Sequence, residues 1–187
     1  MSGEPFTIHQ TALEGVVLIE PRIHRDARGF FLETFRRNAL AAAGIQVEFV
    51  QDNQSRSAFG TLRGLHFHRA PGQAKLIRVA SGRIFDVAVD LRHRSPTFGR
   101  HVSVELDDRE HRQLFIPAGF AHGFCVLSPT ADVVYRVSTY YVPALERGIA
   151  WNDPDLAIGW PIDNPVLSSR DQILPLLADV DRTDLVS

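Results

Sequence analysis

The sequence predicts an all-β protein in which strands form a sandwich or close into a barrel. From Thr61 to Val142 the chain is a succession of short β-like runs, separated by turns such as Ser81-Gly82. The runs recur roughly every 8–12 residues, which is typical of sandwiches and barrels and not of alternating strands and helices. No tandem repeat, low-complexity tract or linker is visible, so we expect a single domain over residues 1–187.

The elements follow from local signals along the chain. The turn Asp26–Gly29 separates the first two strands, and the alanine-rich run Arg36–Ala43 before Gly44 predicts one short helix, because Ala favours helix and Gly ends it. A second short helix is predicted near Ser169, with Pro175 limiting its length. The predicted strands are Val16–Glu20, Phe30–Thr34, Val47–Asn53, Arg63–His68, Ala74–Ala80, Arg83–Leu91, Arg100–Leu106, Gln113–Ile116, His122–Leu127 and Asp132–Val142.

Charge and composition exclude several classes of protein. The net charge of -2 provides no basic field for nucleic acid. No apolar run approaches the roughly 20 residues of a membrane helix, and residues 1–10 lack the apolar region of a secretory signal. The single cysteine, Cys125, excludes an intrachain disulfide. We therefore expect a cytoplasmic protein that binds neither nucleic acid nor membrane.

Alternation along the strands predicts a polar pocket inside the fold. Successive strand side chains point to opposite sides, so His66 and His68 share one face of their strand, opposite Leu65 and Phe67. Lys75 shares parity with Ile77 and Val79, and Tyr135 shares parity with Val133, Val137 and Tyr141. A charged or hydroxyl group among apolar neighbours is costly unless it has a partner. Lys75 is also the only lysine among 20 positively charged residues.

One chemical interpretation of this pocket is a metal site. His66, His68 and the later His122 resemble the histidine ligands of metal-binding cupins, and imidazoles with a carboxylate suit several transition metals. At the expected place of the carboxylate the chain has Gln73 and then Lys75. A protonated amine repels a cation and cannot be a ligand. We therefore expect no metal and no cofactor.

The other interpretation is acid–base chemistry beside a carbonyl group. Such chemistry needs a base, a donor or cation for the enolate oxygen, and an acid that returns a proton. Histidine is the usual base, Lys75 can hold the oxyanion, and a tyrosine hydroxyl can act as the acid. A carboxylate behind the histidine would hold its tautomer, and both Asp86 and Asp171 are available.

Several motifs, in order, resemble the dTDP-4-dehydrorhamnose 3,5-epimerase family. The resemblance extends from about Gly15 to Leu177, nearly the whole chain. The motifs are Arg63-Gly64-Leu65-His66-Phe67, Gln73-Ala74-Lys75-Leu76, Asp86-Val87-Ala88-Val89-Asp90-Leu91-Arg92, Ser95-Pro96-Thr97-Phe98-Gly99, Ile116-Pro117-Ala118-Gly119-Phe120-Ala121-His122-Gly123-Phe124 and Trp151-Asn152-Asp153-Pro154.

The resemblance implies a cupin-type jelly-roll barrel with a few short peripheral helices, a homodimer, no metal and a dTDP-sugar substrate. The implied reaction inverts C3 and C5 of dTDP-4-keto-6-deoxy-D-glucose and leads towards dTDP-L-rhamnose. By motif position, His66 matches the base, Asp171 its partner, Tyr135 the acid and Lys75 the residue near the C4 oxygen.

The resemblance also implies a set of substrate-binding residues. Tyr141 matches the aromatic residue that stacks on thymine, and Arg28 and Glu33 match positions contributed across the dimer. The other implied binding positions are Gln51, Asp52, Asn53, Arg63, Asp86, His122, Glu146 and Arg170.

Two residues depart from the family pattern. Many members have Gln at the position of His68, and members often have Lys at the position of Arg170, where Arg can bind phosphate bidentately. Three alternatives remain open: an epimerase of C3 alone, a metal-dependent cupin enzyme, and a non-catalytic protein that binds sugar nucleotides.

Overall fold

Two antiparallel sheets packed face to face form the body of the protein, in a computed structural model that describes residues 4–186. The six-stranded sheet has the order β1-β2-β10-β7-β12-β5, and the five-stranded sheet has the order β13-β6-β11-β8-β9. A separate hairpin consists of β3 and β4. The predicted jelly-roll class is confirmed.

The secondary structure is almost entirely strand. One α-helix, α1, spans Arg37–Ala42, and four 3-10 helices span Pro143–Leu145, Asp171–Ile173, Leu177–Asp179 and Arg182–Asp184. The strands are β1 (Phe6–Gln10), β2 (Val17–Pro21), β3 (Ile23–Asp26), β4 (Gly29–Leu32), β5 (Gln51–Ala58), β6 (Leu62–His68), β7 (Lys75–Ser81), β8 (Arg83–Asp90), β9 (His101–Asp107), β10 (Gln113–Ile116), β11 (Phe120–Val126), β12 (Thr130–Val137) and β13 (Glu146–Gly148). Within the described residues, no helix is long and apolar enough to cross a membrane.

Three apolar layers hold the sheets. The central layer lies between the sheets and includes Ile77 and Val79 from β7 with Ile84 and Ala88 from β8. A second layer covers the outer face of the five-stranded sheet, where Phe67 and its neighbours meet the C-terminal segment. A third layer covers the outer face of the six-stranded sheet, which packs on α1. Because successive side chains of a strand point to opposite faces of the sheet, a strand can contribute apolar residues to the central layer and to one outer layer.

Three predicted elements differ most from the structure. The strand predicted at Val47–Asn53 is β5, Gln51–Ala58, which begins four residues later and includes the polar residues 51–55. The last long strand, β12, ends at Val137 and not at Val142, so Tyr141 lies in irregular structure beyond it. The helix predicted near Ser169 is one 3-10 turn, Asp171–Ile173, because Pro175 allows no continuation.

Gly64 allows β6 to approach β11 closely. Its φ is +127°, and a Cβ at this position would lie 2.6 Å from Gly123 Cα and 2.8 Å from His122 O. The β6–β11 register also shifts between His122 and Phe124. This close contact brings His66 opposite His122, and both side chains belong to the site described below.

We expect Gly64→Ala to lower the free energy of unfolding by about 1–3 kcal/mol, because the new Cβ has no space. Gly29→Ala is a matched control, since Gly29 has φ +126° and a Cβ added there would have no atom within 4 Å. Urea unfolding of both variants measures the difference. If both variants lost the same free energy of unfolding, backbone strain at positive φ, and not crowding against β11, would determine the destabilisation.

Candidate active site

A cavity of about 630 Å³ lies between the inner faces of the two sheets, where polar residues replace the apolar layer. Eleven of the fifteen residues predicted from the sequence line it. They are Gln51, Asn53, Arg63, His66, Lys75, His122, Tyr135, Tyr141, Glu146, Arg170 and Asp171. The predicted polar pocket inside the fold therefore exists, and both sheets contribute to it.

His66 and Asp171 form a hydrogen-bonded pair in the cavity wall. His66 Nε2 lies 2.6 Å from Asp171 Oδ1, although 105 residues separate them in the chain. Asp171 is buried in a 3-10 turn, and its backbone N–H donates to Ser168 Oγ at 3.1 Å. Burial raises the pKa of Asp171, but hydrogen bonds from His66 and Ser168 outweigh burial and hold this pKa below its usual value. The carboxylate is therefore ionised and fixes the imidazole.

Lys75 and Tyr135 approach the cavity from the six-stranded sheet, on the side opposite His66. They lie on the neighbouring strands β7 and β12. Burial lowers the pKa of Lys75 to about 8, although Glu146 and Asp86 oppose this change. Burial, with Glu146, raises the pKa of Tyr135. The cavity thus places an ammonium of increased acidity and a protonated phenol across from the His66–Asp171 pair.

His122 and Asp86 form a second histidine–carboxylate pair. His122 Nε2 lies 2.9 Å from Asp86 Oδ2, and Asp86 is fully buried behind the imidazole. Both carboxylates considered from the sequence are therefore used, each by a different histidine. Among residues 4–186, no three His, Cys, Asp or Glu side chains lie close enough together to hold a metal ion.

Glu146 connects the residues at the Tyr141 side of the cavity. Its carboxylate accepts a hydrogen bond from the Tyr141 hydroxyl at 3.0 Å and another from the Arg170 guanidinium. Burial raises the pKa of Glu146, but these hydrogen bonds outweigh it and hold the pKa low. The Tyr141 backbone N–H donates to Gln51 Oε1 at 3.0 Å, so β5 also holds this segment. An exposed aromatic ring is thereby fixed beside the cavity.

Four of the predicted residues do not line this cavity. Asp52 is on the outer face of β5, where alternation places it opposite Gln51 and Asn53, and it pairs with Arg136 at 3.0 Å. Asp86 lies behind His122. Arg28 and Glu33 lie on and just after the β3–β4 hairpin, bound to Asp26 and Arg36 respectively. A contribution of Arg28 and Glu33 to a neighbouring subunit stays a prediction.

Other cavity residues were absent from the sequence-based set. His68 lines the same cavity as Lys75, and the sequence predicts no role for it. Gln73 also faces the cavity, while its Nε2 donates to the Thr139 backbone at 3.0 Å. Ser168 supports Asp171, and the preference of Ser for helix starts is the one signal that could have identified it.

Comparison with known proteins places this site in one family. A family model described as dTDP-4-dehydrorhamnose 3,5-epimerase matches residues 10–179. The dTDP-4-dehydrorhamnose 3,5-epimerase of Pseudomonas aeruginosa is 51% identical over 172 residues, covering 91% of this chain and 95% of the relative.

Solved structures agree with the sequence comparison. A dTDP-6-deoxy-D-glucose-3,5-epimerase from Legionella pneumophila, in complex with dTDP-4-keto-L-rhamnose, has a TM-score of 0.94 and 46% identity, covering 97% of both chains. A 3'-monoepimerase from Streptomyces bikiniensis, in complex with dTDP-quinovose, has a TM-score of 0.86 and 40% identity over 91% of this chain and 87% of that one. This chain belongs to the dTDP-4-dehydrorhamnose 3,5-epimerase family.

Proposed function

We propose that this chain is a cytoplasmic isomerase that inverts C3 and C5 of dTDP-4-keto-6-deoxy-D-glucose and forms dTDP-4-keto-L-rhamnose for dTDP-L-rhamnose synthesis. One observation carries the proposal: the His66–Asp171 pair faces Lys75 and Tyr135 across a single cavity. The relatives from Pseudomonas aeruginosa and Legionella pneumophila support the substrate and the reaction.

The first step of the proposed mechanism is removal of a proton beside the C4 ketone. Asp171 accepts the Nε2–H of His66, which leaves Nδ1 as the basic nitrogen. As Nδ1 takes the proton, the C–H bonding electrons form the enolate double bond and negative charge develops on the C4 oxygen. Asp171 stabilises the imidazolium that results, and the Lys75 ammonium stabilises the oxygen.

The second step is return of a proton from the opposite face of the sugar. Tyr135 lies on the six-stranded sheet, whereas His66 lies on the five-stranded sheet. The raised pKa of Tyr135 keeps its hydroxyl protonated until carbanion character develops at the neighbouring carbon. Transfer of the phenolic proton to that carbon inverts the centre. Proton exchange with solvent then restores both side chains, and the same geometry serves both carbons that flank the ketone.

Conversion of dTDP-4-keto-6-deoxy-D-glucose tests this function directly. We expect the purified protein to form dTDP-4-keto-L-rhamnose, identified by NMR from the ring couplings at C3 and C5. A product inverted at C3 alone would replace the proposal with a 3-epimerase, the activity of the Streptomyces bikiniensis neighbour. Binding of dTDP with no change in the sugar would indicate a binding protein.

We further propose a homodimer in which the β3–β4 hairpin reaches the neighbouring cavity. Arg28 and Glu33 lie at this hairpin and outside the cavity of their own chain. The hairpin also exposes Phe30 and Phe31, at 53% and 68% respectively, so it has apolar area that a second subunit would cover. An Arg28 side chain at the partner's site suits the diphosphate of the substrate.

Complementation between two inactive variants tests the shared site. Arg28→Ala and His66→Ala should each be strongly impaired alone. Because a mixed dimer contains one site with both residues intact, an equal mixture should regain about a quarter of the wild-type sites. Light scattering and native mass spectrometry would confirm dimers and subunit exchange. Exchange without recovery of activity would contradict the shared site.

A further inference from the structure

His68 lies in the cavity wall, two residues after His66 and on the same face of β6. It is only 8% exposed. Its register partner on β13 is Glu146, and its ring centroid lies 6.4 Å from that of Tyr141. His68 therefore neighbours the Tyr141 side of the cavity, whereas His66 lies towards Asp171.

The imidazole of His68 is buried without a hydrogen-bond partner. Nε2 is sealed from solvent and has no hydrogen-bond partner among residues 4–186. The two other cavity histidines differ, because His66 is paired with Asp171 and His122 with Asp86. An unpartnered buried polar group is costly, and most such groups in folded proteins have a partner. No hydrogen bond from Nε2 holds the ring in this orientation, so rotation of the ring can present this nitrogen to a ligand in the cavity.

The charges around His68 favour its neutral form. Burial lowers the pKa of His68, and Lys75 from β7 lowers it further, whereas Glu146 from β13 opposes the change. The carboxylate of Glu146 already accepts hydrogen bonds from Tyr141 and Arg170, and not from His68. A neutral imidazole has one N–H donor and one acceptor. In a cavity that already contains the Lys75 ammonium, such a donor can bind an anionic oxygen without adding a second positive charge.

We propose that His68 donates a hydrogen bond to the diphosphate of the bound sugar nucleotide. The assignment rests on the proposed function, in which Lys75 holds the ketone oxygen of the sugar, and on the stacking of Tyr141 on thymine that the family resemblance implies. The diphosphate joins the sugar to the nucleoside, and His68 lines the same cavity as Lys75, with its ring centroid 6.4 Å from that of Tyr141. His68 therefore contributes to nucleotide binding, while proton transfer is left to His66.

Calorimetric titration with dTDP, which carries the diphosphate but no sugar, tests this role. We expect His68→Leu to raise the Kd for dTDP about tenfold, because one hydrogen bond is lost. His68→Gln retains an N–H donor and should bind within about threefold of wild type. The unliganded His68→Leu protein should be at least as thermally stable as wild type, because an unpartnered polar group becomes apolar. His9→Leu is a matched control, since His9 is exposed on β1, at the edge of its sheet opposite β5.

The outcomes separate the inference from the proposed function. Wild-type dTDP affinity in His68→Leu would overturn the diphosphate contact while leaving the epimerase proposal intact. Equal weakening in His68→Leu and His68→Gln would also overturn it, because the loss would follow ring shape and not the donor. Failure of the wild-type protein to bind dTDP would overturn both. Weak binding by His68→Leu alone, with unchanged thermal stability, supports the contact.

Discussion

Replacing His66 with alanine should lower turnover of dTDP-4-keto-6-deoxy-D-glucose by about 10³–10⁴-fold, because the base is removed from the cavity. Asp171 would keep its carboxylate but would have no imidazole to orient. Steady-state kinetics measure the loss, and dTDP titration checks that the variant still forms the site. The Kd for dTDP should stay close to the wild-type value, because His66 acts on the sugar.

Asp171→Asn provides the matched control for His66. The amide keeps the shape of the carboxylate but removes the charge that holds the imidazolium and selects its tautomer. We expect turnover between the wild-type value and that of His66→Ala, with the imidazole still present. A variant without His66 that retained wild-type turnover would exclude His66 as the base. Equal rates for Asp171→Asn and wild type would show that the pair is only structural.

Replacing Lys75 with methionine should lower kcat by about 10²–10³-fold, the usual cost of one lost donor to a developing oxyanion. Methionine approximates the length of the lysine stem without the ammonium. The effect should fall mainly on kcat, since the charge on the C4 oxygen develops as the proton leaves. A rise in KM with unchanged kcat would instead assign Lys75 to ground-state binding.

The pH dependence of kcat/KM gives an independent test of Lys75. Burial lowers the pKa of Lys75 to about 8, so its ammonium is present below this pH and lost above it. The profile of kcat/KM, which reports groups of the free enzyme, should therefore fall as pH rises through about 8. Arginine keeps its positive charge over this pH range. The kcat/KM of Lys75→Arg should therefore show no decrease near pH 8, whatever its absolute value. A fall retained in Lys75→Arg would show that another group titrates there.

The alternation of side chains along the strands predicted the cavity well, because the polar residues that line the cavity interrupt strand faces that are otherwise apolar. Lys75 shares the inner face with Ile77 and Val79, which belong to the central layer, so a polar group there had to line a pocket. His66 similarly lies opposite Phe67, which packs on the outer face of its sheet. Local spacing was sufficient for these residues because each lies within a regular strand.

The spacing of residues in the sequence does not predict which distant side chains pair, or where residues in irregular structure lie. Nothing local indicates that Asp171 pairs with His66 while Asp86 pairs with His122; only the resemblance assigned Asp171. β5 begins in the polar cluster near Gln51 because its inner face lines a cavity, so the expected apolar alternation is absent. Tyr141 reaches the cavity from irregular structure, held by hydrogen bonds to Gln51 and Glu146.

Solvent exchange measured in deuterium oxide tests the central claim most directly. Wild-type protein and dTDP-4-keto-6-deoxy-D-glucose, followed by NMR, should give deuterium at both C3 and C5, because each proton removed by His66 is replaced by one from solvent. His66→Ala should incorporate both labels about 10³–10⁴-fold more slowly than the wild-type protein. Full labelling in His66→Ala would contradict the assigned base, and wild-type labelling at C3 alone would contradict inversion of both centres.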